Sequence, residues 1–253
     1  MKLLAFETAT EACSVALWID GEVRERHELA PRRHAELSLP WAEQLLAEAG
    51  IRKSQLDAIA LGRGPGAFTG VRLAIALGQG IALALDRPIV AVSTLATLAM
   101  RAHALASAVS SGSGASRDAA ADDRATSRVL ACIDARMGEV YTGAFELRNG
   151  DALALGHEAV RAPDAVALPD ERDGWLGVGT GFGAADGALA RRCGARFAAI
   201  DASALPHAAD LAMLAAAAYA RGEALAPERV EPAYLRNNVA LTIAEQQALR
   251  AGR

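Results

Sequence analysis

Lysine is almost missing from this chain: Lys2 and Lys53 are the only two, which leaves 24 of the 26 basic residues as arginines. Any mechanism that needs a lysine therefore has few candidates. Cysteine is scarce as well. Cys13, Cys132 and Cys193 are odd in number, lie far apart and share no CxxC or other metal-ligand spacing, so they read as buried structural thiols in a reducing compartment. No basic and apolar leader opens the sequence, because Met1 to Phe6 reads as a strand and Glu7 follows at once. The most apolar run, Val71 to Leu85, is about 15 residues, short of the roughly 20 that span a bilayer, and it includes Gln79 and two glycines. A cytoplasmic protein with no membrane association is expected. Positive charge is not in excess either. A net charge of −4 and a pI near 5.8 give no basic field with which to grip phosphates, so any contact with RNA is expected to be indirect, through another subunit.

Several catalytic signatures are also lacking. No GxSxG or SxxK motif offers a nucleophile. The five histidines, at 27, 34, 103, 157 and 207, show no i, i+3 or i, i+4 pairing, and no metal site is expected. His27 and His34 flank a charge-rich loop and read as solvated surface residues. Asp134 is open to two readings, a catalytic acid or the structural partner of Arg136 in a strand-end turn, and the second is favoured.

What the chain does have is apolar content: 52% hydrophobic residues exclude disorder, and 253 residues suffice for one large domain or two lobes with cores of their own. The opening LLAFETATEACSVALWIDGEV reads as strand, turn, strand and Asp-Gly turn. VLACIDARMGEVYTGAFELRNG repeats that pattern, with Glu7 and Asp134 in matching places at an offset of 127 residues. A duplicated lobe with a cleft between the copies follows. Residues 1–103 read as the N-terminal lobe, 104–127 as a flexible insertion too small and polar to pack a core, and 128–222 as the C-terminal lobe, whose last helix has the option of packing back on the first. Residues 223–253 read as a tail.

Two helices of the first lobe carry more apolar surface than one core needs. In His34 to Ala49, with Pro40 placed near the first turn, one stripe is Leu37, Trp41 and Leu45, and a second is Leu39, Ala42, Leu46 and Ala49. Together they cover roughly 200° of the helix, against the ~100° that faces a single core. The helix Thr69 to Leu85 is apolar all round except at Arg72 and Gln79, and Ala74, Gly78 and Ala82 form a small-residue row that admits another backbone. It is either wholly internal or a partner-binding helix. Before it comes LGRGPGAFTGVR, where Thr69 is placed to cap the helix. This turn either presents N–H groups to a phosphate or is simply a tight connection. A Walker loop is excluded because no Lys-Ser or Lys-Thr follows the glycines. The dinucleotide pattern fits poorly, since Asp86 precedes the next strand, Ile89 to Val92, where it should end it.

Five ordered segments, ETATEACSVAL, GRGPGAFTGVR, IVAVSTL, DARMGEVY and PAYLRNNVA, resemble the TsaB (YeaZ) family over nearly the whole chain outside 104–127. The resemblance implies an α/β, two-lobed fold of the actin/Hsp70/sugar-kinase class, built from duplicated ribonuclease H-like lobes. It implies a non-catalytic subunit that binds and supports TsaD. That protein, with the ATPase TsaE, places a threonylcarbamoyl group on the adenosine next to the anticodon of tRNAs reading A-starting codons. The catalytic relative carries a His-x-x-x-His metal pair after the strand matching Ile89 to Val92, where this chain has Ser93 to Leu98 and no ligand. In this fold class the first hairpin cradles nucleotide phosphates, so Thr8, Thr10 and Ser14 are the residues for weak, vestigial ATP or ADP binding. No cofactor is required. Glu7 in place of the usual aspartate speaks against metal-assisted ATP use. The partner interface is expected at His34, Leu37, Trp41 and Leu45 on one helix and Arg72, Ile75 and Gln79 on the other, with a homodimer through the same surface when the chain is alone. The alternative is an ATP-dependent enzyme of the same fold, a kinase or carbamoyl transferase, with Glu7 and Asp134 as its only placed carboxylates.

Overall fold

The computed structural model describes residues 1–112 and 126–236. Three strands open it: β1 (Lys2–Glu7), β2 (Ala12–Ile19) and β3 (Glu22–Leu29) form an antiparallel meander whose second turn is Asp20-Gly21. Helix α1 (His34–Glu48) follows, then β4 (Ala58–Gly62), α2 (Phe68–Leu85) and β5 (Ile89–Val92), with β4 and β5 parallel to β1. The first sheet thus runs β3-β2-β1-β4-β5. Helices α3 (Thr94–Ala99) and α4 (Ala102–Gly112) lead to a second sheet.

That sheet repeats the first. Strands β6 (Ser127–Arg136), β7 (Glu139–Arg148), β8 (Asp151–Ala154), β9 (Ala159–Arg161), β10 (Trp175–Val178) and β11 (Phe197–Asp201) assemble in the order β11-β10-β6-β7-β8, with β9 also on β7. β6, β10 and β11 are parallel, as β1, β4 and β5 are, and two short strands stand where β3 stands in the first copy. Helix α5 (Ala184–Cys193) and helix α6 (Ala208–Ala220) complete the described elements. The two-lobed, duplicated α/β architecture is the one the sequence implied.

The lobe boundaries differ from those read in the sequence. Leu95, Leu98 and Ala99 of α3, with Met100 just after it, pack on Val129, Ala131 and Phe145 of the second sheet. The option left open for the last helix is the one taken: Leu211, Ala212 and Ala215 of α6 pack on Leu3, Ala5, Ala16 and Ala60 of the first. Each sheet takes a helix from the other half of the chain, so the division at 103 falls beyond α3 and inside α4, both of which pack with the second core. The loop assigned to 104–127 is also helical at its start. Alanine is the best helix former, and Ala102, Leu105 and Ala106 fall at i, i+3 and i+4, which puts one face of α4 against the second core. The remainder of that segment, 113–125, and the tail beyond Arg236 lie outside the described residues.

Two helix details also differ. Pro40 sits inside α1, past its first turn, and the N-cap of α2 is Ala67, so Thr69 lies in the first turn and caps nothing. By length and composition α2, at 18 residues, is long and apolar enough to cross a membrane, which revises the 15-residue reading. One face of it lies on the first sheet: Val71, Ala74, Ile75 and Ala82 join the core with Ile59 and Leu61.

Candidate functional site

Two regions were singled out by the sequence, and the structure treats them differently. The first is the turn between β1 and β2. The Thr8 hydroxyl donates to the Gly70 carbonyl at 2.7 Å, Thr10 Oγ1 accepts from Ala12 N at 3.4 Å, and the Ser14 hydroxyl donates to Glu25 Oε1 at 2.6 Å while accepting from Ala208 N at 2.8 Å. All three side chains are buried. The glycine-rich loop closes over them: a Cβ at Gly70 would strike the Thr8 carbonyl and one at Gly66 the Ala9 carbonyl, so only glycine allows this approach. Hydroxyls expected to face a nucleotide are instead internal pins between β2, α2 and α6.

Glu7 is drawn inward as well. Its carboxylate fills the space that a side chain on Gly62 would take, accepting from Ala9 N at 2.8 Å and from the Thr94 hydroxyl at 3.2 Å. Burial pushes its pKa up from 4.5 to about 7, against the pull of those hydrogen bonds. At the matching place in the second lobe, Asp134 accepts from Arg136 N at 2.8 Å and pairs with the Arg136 guanidinium at 3.3 Å, the turn partnership favoured from the sequence. Among the described residues no group of three or more His, Cys, Asp or Glu is placed to hold a metal ion.

The second region is the surface of α1 and α2. Of the expected interface residues, Arg72 is exposed, His34, Leu37, Trp41 and Gln79 are half-buried, and Leu45 and Ile75 are buried. Leu45 is 0% and Ile75 7% exposed, both inside the first core. Gln79 donates to the Pro227 and Val230 carbonyls at 2.8 and 3.4 Å and so holds down the chain after α6. His34, read as a solvated surface residue, is half-buried and partnered: its Nε2 lies 3.0 Å from the Thr10 carbonyl and 3.2 Å from that of Ala12, tying α1 to the first turn.

The small-residue row turns out to face inward too. A Cβ on Gly78 would come within 2.6 Å of Leu61 Cδ2, so Ala74, Gly78 and Ala82 let α2 settle on its own sheet. The exposed stripe of α2 is the next one round: Phe68, Arg72, Ala76, Gly80 and Ala84 at i, i+4 spacing, with Leu83 beside it. Phe68 is 64% and Leu83 63% exposed, and Leu39 on α1 is 45% exposed. Large apolar side chains this open, spread along two helices that touch, fit an interaction surface.

Known proteins resemble this chain over most of its length. The family model described as TsaD, tRNA N6-adenosine threonylcarbamoyltransferase, matches residues 26–244. The Escherichia coli (strain K12) "tRNA threonylcarbamoyladenosine biosynthesis protein TsaB" is 41% identical over 95% of this chain and 96% of its own. The chain belongs to the TsaB family. Its Haemophilus influenzae relative of the same name is 34% identical over 94% of this chain and 95% of its own. Among solved structures, YeaZ from Pseudomonas aeruginosa is 47% identical, with a TM-score of 0.80 over 92% of this chain and 99% of that one.

In this TsaB-family chain two groupings escaped sequence reasoning. His27 and His207 stack with centroids 3.9 Å apart and planes 3° apart, and His207 Nδ1 is 2.9 Å from Glu25 Oε2. Burial opposes ionisation of Glu25, yet hydrogen bonds from His207, Ser14 and the Ala209 N–H outweigh it and hold the carboxyl below its usual range. Glu25 thereby caps α6 onto the first sheet. The other grouping is Phe68, Arg72 and Tyr234, whose members lie on α2 and on the chain after α6. Pairing by spacing along one helix could find Phe68 and Arg72 at i, i+4. Nothing in the sequence placed Tyr234 beside them.

Proposed function

We propose that this chain is a non-catalytic subunit that binds and supports the tRNA N6-adenosine threonylcarbamoyltransferase, and so serves threonylcarbamoyladenosine biosynthesis in tRNA by holding an active partner. The observation that carries this reading is the open apolar face of α1 and α2 in a chain that matches TsaB relatives end to end. The inward-turned hydroxyls of Thr8, Thr10 and Ser14 and the sealed Glu7 support the absence of ATP chemistry of its own. In this reading the chain works in the cytoplasm, needs no cofactor, meets tRNA only through the transferase, joins the ATPase of the same pathway in a larger complex and pairs with itself when alone. The test replaces Leu39 or Leu83, whose exposure makes them dispensable to the fold, with glutamate. Co-purification of the variant with the transferase should be lost while the circular dichroism spectrum is unchanged; undiminished co-purification would place the contact off this face, and a wild-type chain that does not co-purify with the transferase would sink the reading.

A further inference from the structure

The Phe68, Arg72 and Tyr234 grouping stands at the N-terminal end of the exposed α2 stripe. The Arg72 guanidinium carbon lies 3.2 Å from the Phe68 ring centroid and 5.2 Å from that of Tyr234, with the two rings 6.5 Å apart and 26° from parallel. Phe68 is 64% and Tyr234 52% exposed, so the assembly is held open to the outside. Stacking fixes the plane of the guanidinium and leaves its N–H edge free. None of the hydrogen bonds or ion pairs among the described residues uses that edge. An arginine already ordered between aromatic faces loses little freedom when it binds, and arginine and tyrosine are among the residues that dominate interface energetics.

Charge and shape together say what fits. A planar fork of free donors calls for a carboxylate, met through two parallel hydrogen bonds. Directly along the helix from Arg72 come Ala76 and Gly80, and a Cβ at Gly80 would meet nothing within 4 Å, so a second helix can lie close. A second copy of this chain is poorly suited to supply the carboxylate. Helix α2 has no acidic residue, and the three glutamates of α1 are engaged, Glu36 with Arg33 at 3.5 Å, Glu43 with Lys53 at 2.8 Å and Glu48 with Arg26 at 2.5 Å. We infer that Phe68, Arg72 and Tyr234 form a preorganised anchor that receives an aspartate or glutamate from a helix of the transferase subunit. This deepens the proposed function and rests on it.

Calorimetric titration of the full chain with the purified transferase subunit, at low and high salt, tests the anchor through three variants. Arg72→Ala should weaken binding roughly 10- to 100-fold and flatten the salt dependence seen in the wild type. Arg72→Lys, which keeps the charge but not the stacked fork, should fall between. Leu83→Glu probes the wider surface. If Leu83→Glu abolishes binding while Arg72→Ala matches the wild type in affinity and salt dependence, the surface stands and the anchor is overturned. Undiminished binding by both variants moves the contact off this face and overturns the anchor with it, whereas a wild-type chain that does not bind the transferase overturns the proposed function itself. An Arg72→Ala chain that loses self-association but not the transferase assigns the anchor to a second copy, against the inference. A salt-dependent loss of stability in the isolated Arg72→Ala chain likewise overturns it, by locating the carboxylate within the chain.

Discussion

Glu7 shows how one side chain can forfeit a catalytic role through its surroundings. The glycine at 62 makes room for it, Ala9 and Thr94 donate to it, and burial holds its carboxyl near pH 7 against an ordinary 4.5. Between those values the folded chain keeps the proton that the unfolded chain has released. Stability is therefore greatest below pH 4.5 as far as this group is concerned, falls as pH rises, and above pH 7 carries the full cost of a buried charge, on the order of 3 kcal/mol. Glutamine has the same shape, keeps the acceptor for Ala9 N and gives Thr94 Oγ1 a donor. Glu7→Gln should thus raise stability at pH 8 by about 1–3 kcal/mol and remove the decline between pH 5 and 7. Urea unfolding of both chains across that range checks it. A parallel pH dependence in the two would mean that Glu7 ionises in the fold without penalty.

Helix α2 divides its glycines between two jobs. Gly78 faces Leu61 in the core, where a methyl group would arrive at 2.6 Å, while the position of a Cβ on Gly80 is open on the outer stripe. The same substitution should therefore have opposite signs one turn face apart. Gly78→Ala is expected to destabilise by about 1–3 kcal/mol through overpacking, and Gly80→Ala to stabilise by about 0.5–1 kcal/mol through helix propensity. Thermal melts of the two variants decide it, and a matching loss in both would show that the outer face is not open. Elements such as these were legible in the sequence where local pattern dictated them. Apolar runs bounded by Asp20-Gly21 and Asn149-Gly150 marked the hairpins, and β5 falls on Ile89–Val92 as read. The orientation of α2 was not legible, because a helix apolar on every side carries no stripe to say which face meets the sheet. Helix α4 was missed for a related reason: its alanines and serines look like linker by polarity and like helix by propensity.

At the scale of the molecule, the two lobes are joined by exchanged helices and by the chain that follows α6. Helices α3 and α6 cross to opposite sheets, and the chain after α6 runs back along α2 before crossing to the second lobe. Leu225 pairs with Ile89, Gln79 holds Pro227 and Val230, Ala233 N donates to the Arg63 carbonyl at 2.8 Å, and Arg236 reaches the Ala135 carbonyl at 3.2 Å and Glu139 Oε2 at 2.5 Å. The PAYLR segment, legible only as a family motif, is thus a strap that binds the glycine-rich loop of one lobe to the β6–β7 turn of the other. No local pattern could reveal this, since each contact joins residues distant in sequence. The clasp is Arg236, whose side chain is 17% exposed against a Glu139 that is 38% exposed. Solvent screening at that pair keeps the expected loss in Arg236→Ala to about 1 kcal/mol. The informative readout is local. Amide exchange should quicken at residues 135–139 and in the strap while the first sheet keeps its protection, because α6 still caps that sheet through Glu25. Exchange unchanged at the β6–β7 turn would mean the lobes are held by the exchanged helices alone, with the strap an onlooker.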